Sequence, residues 1–140
     1  MLNFSSGVTV PSSSFFSRQL NHREERDVHA MLESAPDADP QDVNGTIVWF
    51  EWVNQGGRWY RLAYWFDGGD YQAAVMEGDN PWDRGNAGGC HLFDDRRICL
   101  KGSSDPPYSN VLEARARAIV WAMGYSDYLQ TGSFPFNTIR

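Results

Sequence analysis

β-Branched and aromatic residues crowd two neighbouring stretches, Thr46–Val53 and Arg58–Phe66, separated by Gln55-Gly56-Gly57. Two such runs joined by a glycine pair predict a β-hairpin. A second turn, Asp67-Gly68-Gly69-Asp70, leads into a third strand at Tyr71–Met76. Alternation is incomplete on the first two strands, which predicts an antiparallel three-stranded meander with partial cover on both faces. Apolar residues at helical spacing flank the sheet. Phe16, Leu20, Val28, Met31 and Leu32, interrupted by Glu24, predict a helix. It is expected to start at the Ser12-Ser13-Ser14 cluster and to end before Pro36, in a Pro-Asp-Ala-Asp-Pro turn. Leu112, Ala116, Ile119, Val120 and Met123 predict a second helix, capped by Ser109 or Asn110 with Gly124 at its C′ position. The tail from Tyr125 to Arg140 leaves room for one more short turn of helix.

Between sheet and second helix, residues 77–98 carry no long periodic element. Gly78, Asn80-Pro81, Gly85, Gly88 and Gly89 punctuate this stretch, while Trp82, His91 and Phe93 favour an ordered, functional loop. Residues 1–14 are Ser-rich and read as a loosely ordered arm. The 140 residues suffice for one domain with a sizeable core. Helix, meander, long loop, cysteine and helix, in that order, make an α+β layout with helices packed on an antiparallel sheet.

Composition narrows the classes of function. Aromatic residues make up 14% of the chain, with six tryptophans, which opposes disorder despite a negative mean hydropathy. A net charge of −6 with twelve scattered Lys and Arg opposes nucleic acid as the main partner. No apolar run approaches the roughly 18–20 residues of a membrane span. The N-terminus lacks a basic region ahead of an apolar core, so a signal peptide is not expected. A cytoplasmic, reducing location is the resulting expectation, with both cysteines as free thiols.

The chemistry concentrates in residues 90–102, Cys-His-Leu-Phe-Asp-Asp-Arg-Arg-Ile-Cys-Leu-Lys-Gly, which hold both cysteines and one of three histidines. Cys99 stands between Ile98 and Leu100. In an extended segment, burying those two turns Cys99 outward. A thiol with a reference pKa of about 8.5 is a few per cent thiolate at neutral pH, and that fraction is strongly nucleophilic. Arg96 and Arg97 favour the thiolate, whereas Asp94 and Asp95 oppose it. His91 is open to three readings: a base, a hydrogen bonder that organises the loop, or a surface residue. A protease dyad also needs an orienting Asn or Asp and an oxyanion hole, and neither is identifiable. Cys90, His91 and Cys99 offer only three ligands without paired Cys-x-x-Cys spacing, which argues against zinc. No cofactor or metal is expected. Asp67, Asp70, Glu77 and Asp79 flank turns and read as solvated carboxylates. Trp49, Trp52, Trp59, Tyr60, Tyr64 and Trp65 read as sheet core and cross-strand packing.

His91-Leu92-Phe93…Ile98-Cys99-Leu100, after a helix and a meander and before a helix, resembles the ubiquitin-conjugating enzymes. There a histidine-bearing loop precedes the active-site cysteine in a His-Pro-Asn…Ile-Cys-Leu setting. The likeness is greatest to the minimal bacterial members of CBASS anti-phage operons, and Tyr128, Thr131-Gly132 and Pro135 extend it downstream. It spans residues 12–136 in element order and about 90–135 at motif level. What it implies is a single ubiquitin-conjugating-like domain in which Cys99 accepts an acyl group as a thioester and passes it to a lysine amine. The acyl donor is then the C-terminus of a protein partner, in the bacterial systems a cyclic-oligonucleotide synthase, with an activating enzyme as a further partner. Asp94, Asp95 and Asp105 are the candidate carboxylates for drawing a proton from a lysine with a reference pKa of about 10.4. No Pro-Asn follows His91, so backbone N–H groups or His91 itself must replace the oxyanion-stabilising asparagine. A catalytically silent domain of the same fold that binds and positions a partner is the alternative.

Overall fold

The computed structural model describes residues 2–3, 9–10, 19–78, 91–93, 95–101 and 104–135. It is an α+β structure. Two short strands, β1 (Leu2–Asn3) and β2 (Thr9–Val10), pair antiparallel with each other. They are followed by α1 (His22–Ser34), a meander of β3 (Asp39–Val43), β4 (Thr46–Gln55), β5 (Arg58–Phe66) and β6 (Tyr71–Glu77), and finally α2 (Val111–Thr131). The meander strands lie in chain order in one antiparallel sheet. Among the described residues no helix is long and apolar enough to cross a membrane.

The sheet has four strands, not the three expected. β3 is an edge strand with Pro40 inside it, tolerated because an edge leaves one row of N–H groups unpaired. Its polar composition and the prolines at 36 and 40 disguise it as a turn. Asn44-Gly45, with φ of 53° and 87°, then closes a two-residue hairpin between Val43 and Thr46. The next hairpin, between Gln55 and Arg58, follows the sequence: Gly56 and Gly57 take φ of 63° and 81°. β5 keeps its expected bounds, whereas β4 and β6 run on to Gln55 and Glu77.

Both helices also depart from expectation at an end. The expected start of the first helix, Ser12–Ser14, lies outside the described residues, and α1 begins at His22. Asn21 is the cap: its Oδ1 accepts the Glu24 N–H at 2.8 Å while Glu24 Oε1 accepts the Asn21 N–H at 3.0 Å. Glu24, which looked like an interruption of an apolar stripe, is thus one half of a capping box. At α2, Asn110 is the cap, its Oδ1 accepting from Leu112 and Glu113 N–H. Gly124 does not end this helix. Buried contacts carry it onward, with the Ser126 hydroxyl donating to the Gln55 carbonyl at 2.6 Å and bonding the Tyr60 hydroxyl at 2.7 Å. Gly132, at φ 82°, takes the left-handed terminal position instead.

The core lies between one face of the sheet and the two helices. Ile47, Trp49, Val53, Tyr60, Leu62 and Tyr64 meet Val28 and Met31 of α1 and Ala118, Trp121 and Tyr125 of α2. Trp121 and Tyr125 stack at 5.1 Å, and Tyr60 meets Trp121 edge-on at 5.8 Å. Two buried carboxylates cross this layer. Glu51 accepts the Tyr64 hydroxyl at 2.7 Å and a two-pronged Arg115 at 2.9 Å. Burial, and then the Glu51 carboxylate, push the Tyr64 phenol well above its usual range. Asp27 of α1 accepts the Tyr71 hydroxyl at 2.6 Å, the Val111 N–H at 3.3 Å and Arg23 at 3.2 Å. It joins α1, the start of β6 and the first turn of α2.

Asp27→Ala leaves the buried Tyr71 hydroxyl and Val111 N–H without their acceptor. It is expected to lower the unfolding free energy by about 3 kcal/mol, against about 1.5 kcal/mol for Tyr71→Phe. Urea denaturation measures both, and equal losses would show that Asp27 acts only through Tyr71.

Candidate active site

Cys99 is held at the open end of a small hairpin that extends the sheet. Leu92 and Ile98 form an antiparallel bridge. The Phe93 N–H donates to the Arg97 carbonyl at 2.8 Å, and the Cys99 N–H donates to the His91 carbonyl at 2.9 Å. These two bonds flank the Leu92–Ile98 pair, which makes His91 and Cys99 cross-strand partners. At the closed end the Arg96 N–H donates to the Phe93 carbonyl at 3.0 Å, with Arg96 at φ 73°. The hairpin docks on β6: Arg97 pairs with Ala74, the Ile98 N–H donates to the Ala73 carbonyl and the Val75 N–H to the Arg96 carbonyl.

The alternation expected around the cysteine is present. Ile98 is 1% and Leu100 5% exposed, both in the core, while Cys99 between them is half-buried and a free thiol. Its Sγ lies 4.0 Å from the Lys101 carbonyl. The chain downstream is clasped as tightly as the chain upstream. Lys101 pairs with Asp70, donates to the Pro106 carbonyl at 2.7 Å and lies over the Tyr108 ring at 4.0 Å. Tyr108 donates its hydroxyl to the Leu100 carbonyl at 3.2 Å and its N–H to Asp70 at 2.8 Å.

Of the other candidate residues, His91 comes to Cys99 through its backbone. Its ring packs on Phe134 at 5.1 Å, and its φ of 58° is left-handed. Asp95 belongs to the hairpin tip, accepting the Arg97 N–H at 3.1 Å and Arg97 Nε at 2.7 Å. Those two bonds hold its carboxyl below the usual aspartate range. Arg97 is engaged there and over the Phe93 ring at 5.0 Å. Asp105 is exposed and lines a cleft of about 240 Å³ with Asp70, Gln72, Phe93, Arg97 and Lys101; Cys99 is not part of that lining. Asp94 and Cys90 lie outside the described residues. Among those described, no group of three or more His, Cys, Asp and Glu side chains could hold a metal ion.

The sequence reading missed Asp70, Lys101, Tyr108 and Phe134. Asp70 had looked like a solvated turn residue and is the acceptor at the centre of the clasp. Burial alone would raise its carboxyl, but Lys101, the Tyr108 and Tyr71 N–H groups and the Lys101 charge together lower it below the usual range. The tryptophans also divide: Trp49 is core, while Trp52 and Trp59 are 51% and 57% exposed on the other face of the sheet.

The described fold and site thus define an α+β domain that presents a part-exposed cysteine on a hydrogen-bonded extension of its sheet. No family model, curated protein or solved structure matches the chain.

Because the Asp70 pKa is lower in the folded state than in the unfolded state, the clasp contributes stability above about pH 4 and loses it as pH falls through the folded value. Asp70→Asn is expected to be less stable than wild type at pH 7 and to show a flatter stability profile below about pH 4. Urea midpoints across that window measure it, and parallel profiles would remove Asp70 from the clasp.

Proposed function

We propose that this chain is a cysteine-dependent acyl carrier and transferase of the ubiquitin-conjugating type. Cys99 is the nucleophile. Its thiolate sulfur bonds to the activated C-terminal carbonyl carbon of a protein partner and expels the activating group. An amine nitrogen then bonds to that carbon, the carbon–sulfur bond breaks, and the amine's proton goes to solvent or to a carboxylate while the thiolate is regenerated. In keeping with the resemblance to the minimal CBASS members, the partner is a cyclic-oligonucleotide synthase, and an activating enzyme loads the thiol.

The observation that carries this reading is the placement of Cys99. A half-buried thiol between two core-anchored residues, at the open end of a hairpin, is accessible yet fixed in direction. Thioester exchange is close to neutral in free energy, so it needs that placement more than a strongly acidic thiol. The Cys99 N–H is already engaged by the His91 carbonyl, so an oxyanion donor for lysine attack must come from another group. A helix, a meander, the cysteine and a helix follow one another in the order the resemblance implies.

The alternative, a silent module that positions a partner, is favoured by a separate observation. The sheet face away from the helices carries an apolar groove of about 360 Å³ along Val43, Val48, Phe50, Ala63, Trp65 and Met76. Exposed Trp52 and Trp59 stand with Asp37 and Asp39 in the adjoining hollow, which shares Phe50. Such a face suits a partner with apolar side chains flanked by basic ones.

Incubation with the synthase, activating enzyme and ATP, followed by reducing and non-reducing gels, distinguishes the two. Acyl transfer gives a reductant-sensitive adduct that is lost in Cys99→Ala and replaced by a more persistent ester in Cys99→Ser. An adduct lost in Cys90→Ala and kept in Cys99→Ala would move the site to Cys90. A non-covalent complex that survives both changes but is lost in Trp52→Asp, with no covalent species, selects the binding module.

A further inference from the structure

The His91 conformation needs an explanation. A non-glycine residue at φ 58° is uncommon, and such conformations persist where their surroundings hold them. His91 sits at the point where its carbonyl accepts the Cys99 N–H at 2.9 Å, so its backbone angles bear directly on where Cys99 is held. Its ring is met from outside the hairpin by Phe134, with centroids 5.1 Å apart and planes at 58°.

Phe134 is brought there by a built turn. Gly132 ends α2 in the left-handed conformation, its N–H donating to the Tyr128 carbonyl at 2.7 Å. The Thr131 hydroxyl oxygen lies 3.0 Å from the Asp127 carbonyl and accepts the Ser133 N–H at 3.2 Å. Half-buried Phe134 follows at once and packs against the core. The end of the long helix is therefore tied, through two aromatic rings and one backbone hydrogen bond, to the cysteine.

We propose that Phe134 is a positioning residue for Cys99, acting through His91. Its ring holds His91 in the left-handed conformation, and His91 in turn holds the Cys99 backbone at the open end of the hairpin. The role in acyl transfer rests on Cys99 being the nucleophile proposed above; the control of thiol exposure does not.

Iodoacetamide alkylation of the full chain, with Cys99 and Cys90 quantified separately by peptide mass spectrometry, tests it without any partner. Loss of one such aromatic contact shifts a local opening equilibrium by about three- to tenfold. Phe134→Ala and His91→Ala are each expected to speed Cys99 alkylation by about that factor, and the double variant no further, because both break one linkage. Phe134→Tyr restores the wild-type rate. Multiplying effects in the double variant, an unchanged rate in Phe134→Ala, or rates that track the urea midpoint in every variant would each overturn the positioning role. An altered alkylation rate with no thioester in the gel assay leaves the linkage standing and removes the transferase. A thioester with unaltered alkylation in Phe134→Ala does the reverse.

Discussion

The buried carboxylate of Asp27 is the interaction on which the arrangement depends. It draws a helix, a strand and the start of a second helix to one point through the Tyr71 hydroxyl, the Val111 N–H and Arg23. A carboxylate taken out of water is costly unless its lone pairs are satisfied, and here three donors from three elements satisfy them. The Val111 N–H bond at 3.3 Å ties the first turn of α2 to α1. The Arg26 guanidinium adds a bond to the Ser109 carbonyl at 2.9 Å, so the linker into α2 is tied to α1 as well.

The same corner governs the cysteine. Tyr71 reaches inward to Asp27, while Asp70, its neighbour in sequence, reaches to Lys101 and Tyr108. Asp70 and the first residue of β6 thus connect the clamp between helices with the clasp downstream of Cys99. Upstream, the hairpin leans on Ala73, Ala74 and Val75 of the same strand. β6 and the turn residue Asp70 before it therefore set the cysteine's position from both sides. Two ion pairs flank the site, Arg97 with Asp95 and Lys101 with Asp70.

How much of this was legible depended on whether a signal was local. The β4–β5 hairpin was readable because Gly56-Gly57 has one common use between aromatic runs. Ile98-Cys99-Leu100 was readable because alternation acts over three residues. β3 was not: Asp39, Pro40 and Asp42 are poor strand residues, and only the sheet edge accommodates them. Its one local signal is Asn44-Gly45 between Val43 and Thr46, a favoured hairpin dipeptide. Gly124 misled because a glycine near the end of an apolar stripe is the usual stop. Within a helix it costs about 1 kcal/mol relative to Ala, an amount that the buried Tyr125 and Ser126 contacts outweigh. Asp70–Lys101 and His91–Phe134 join residues 31 and 43 positions apart, and nothing local marks either pair.

These differences bear on what the cysteine's surroundings can tolerate. Its outward direction follows from burying Ile98 and Leu100, a consequence of backbone alternation that no change in nearby charge can undo. The hairpin tip, by contrast, carries an exposed Asp95–Arg97 pair, and exposed pairs of this kind contribute little to stability. Charge at the hairpin tip can therefore vary at small structural cost, while the apolar neighbours of Cys99 cannot. A site built this way rests the presentation of the thiol on its apolar neighbours. The presentation is carried by the core and by β6, on which the hairpin docks through Arg96, Arg97 and Ile98.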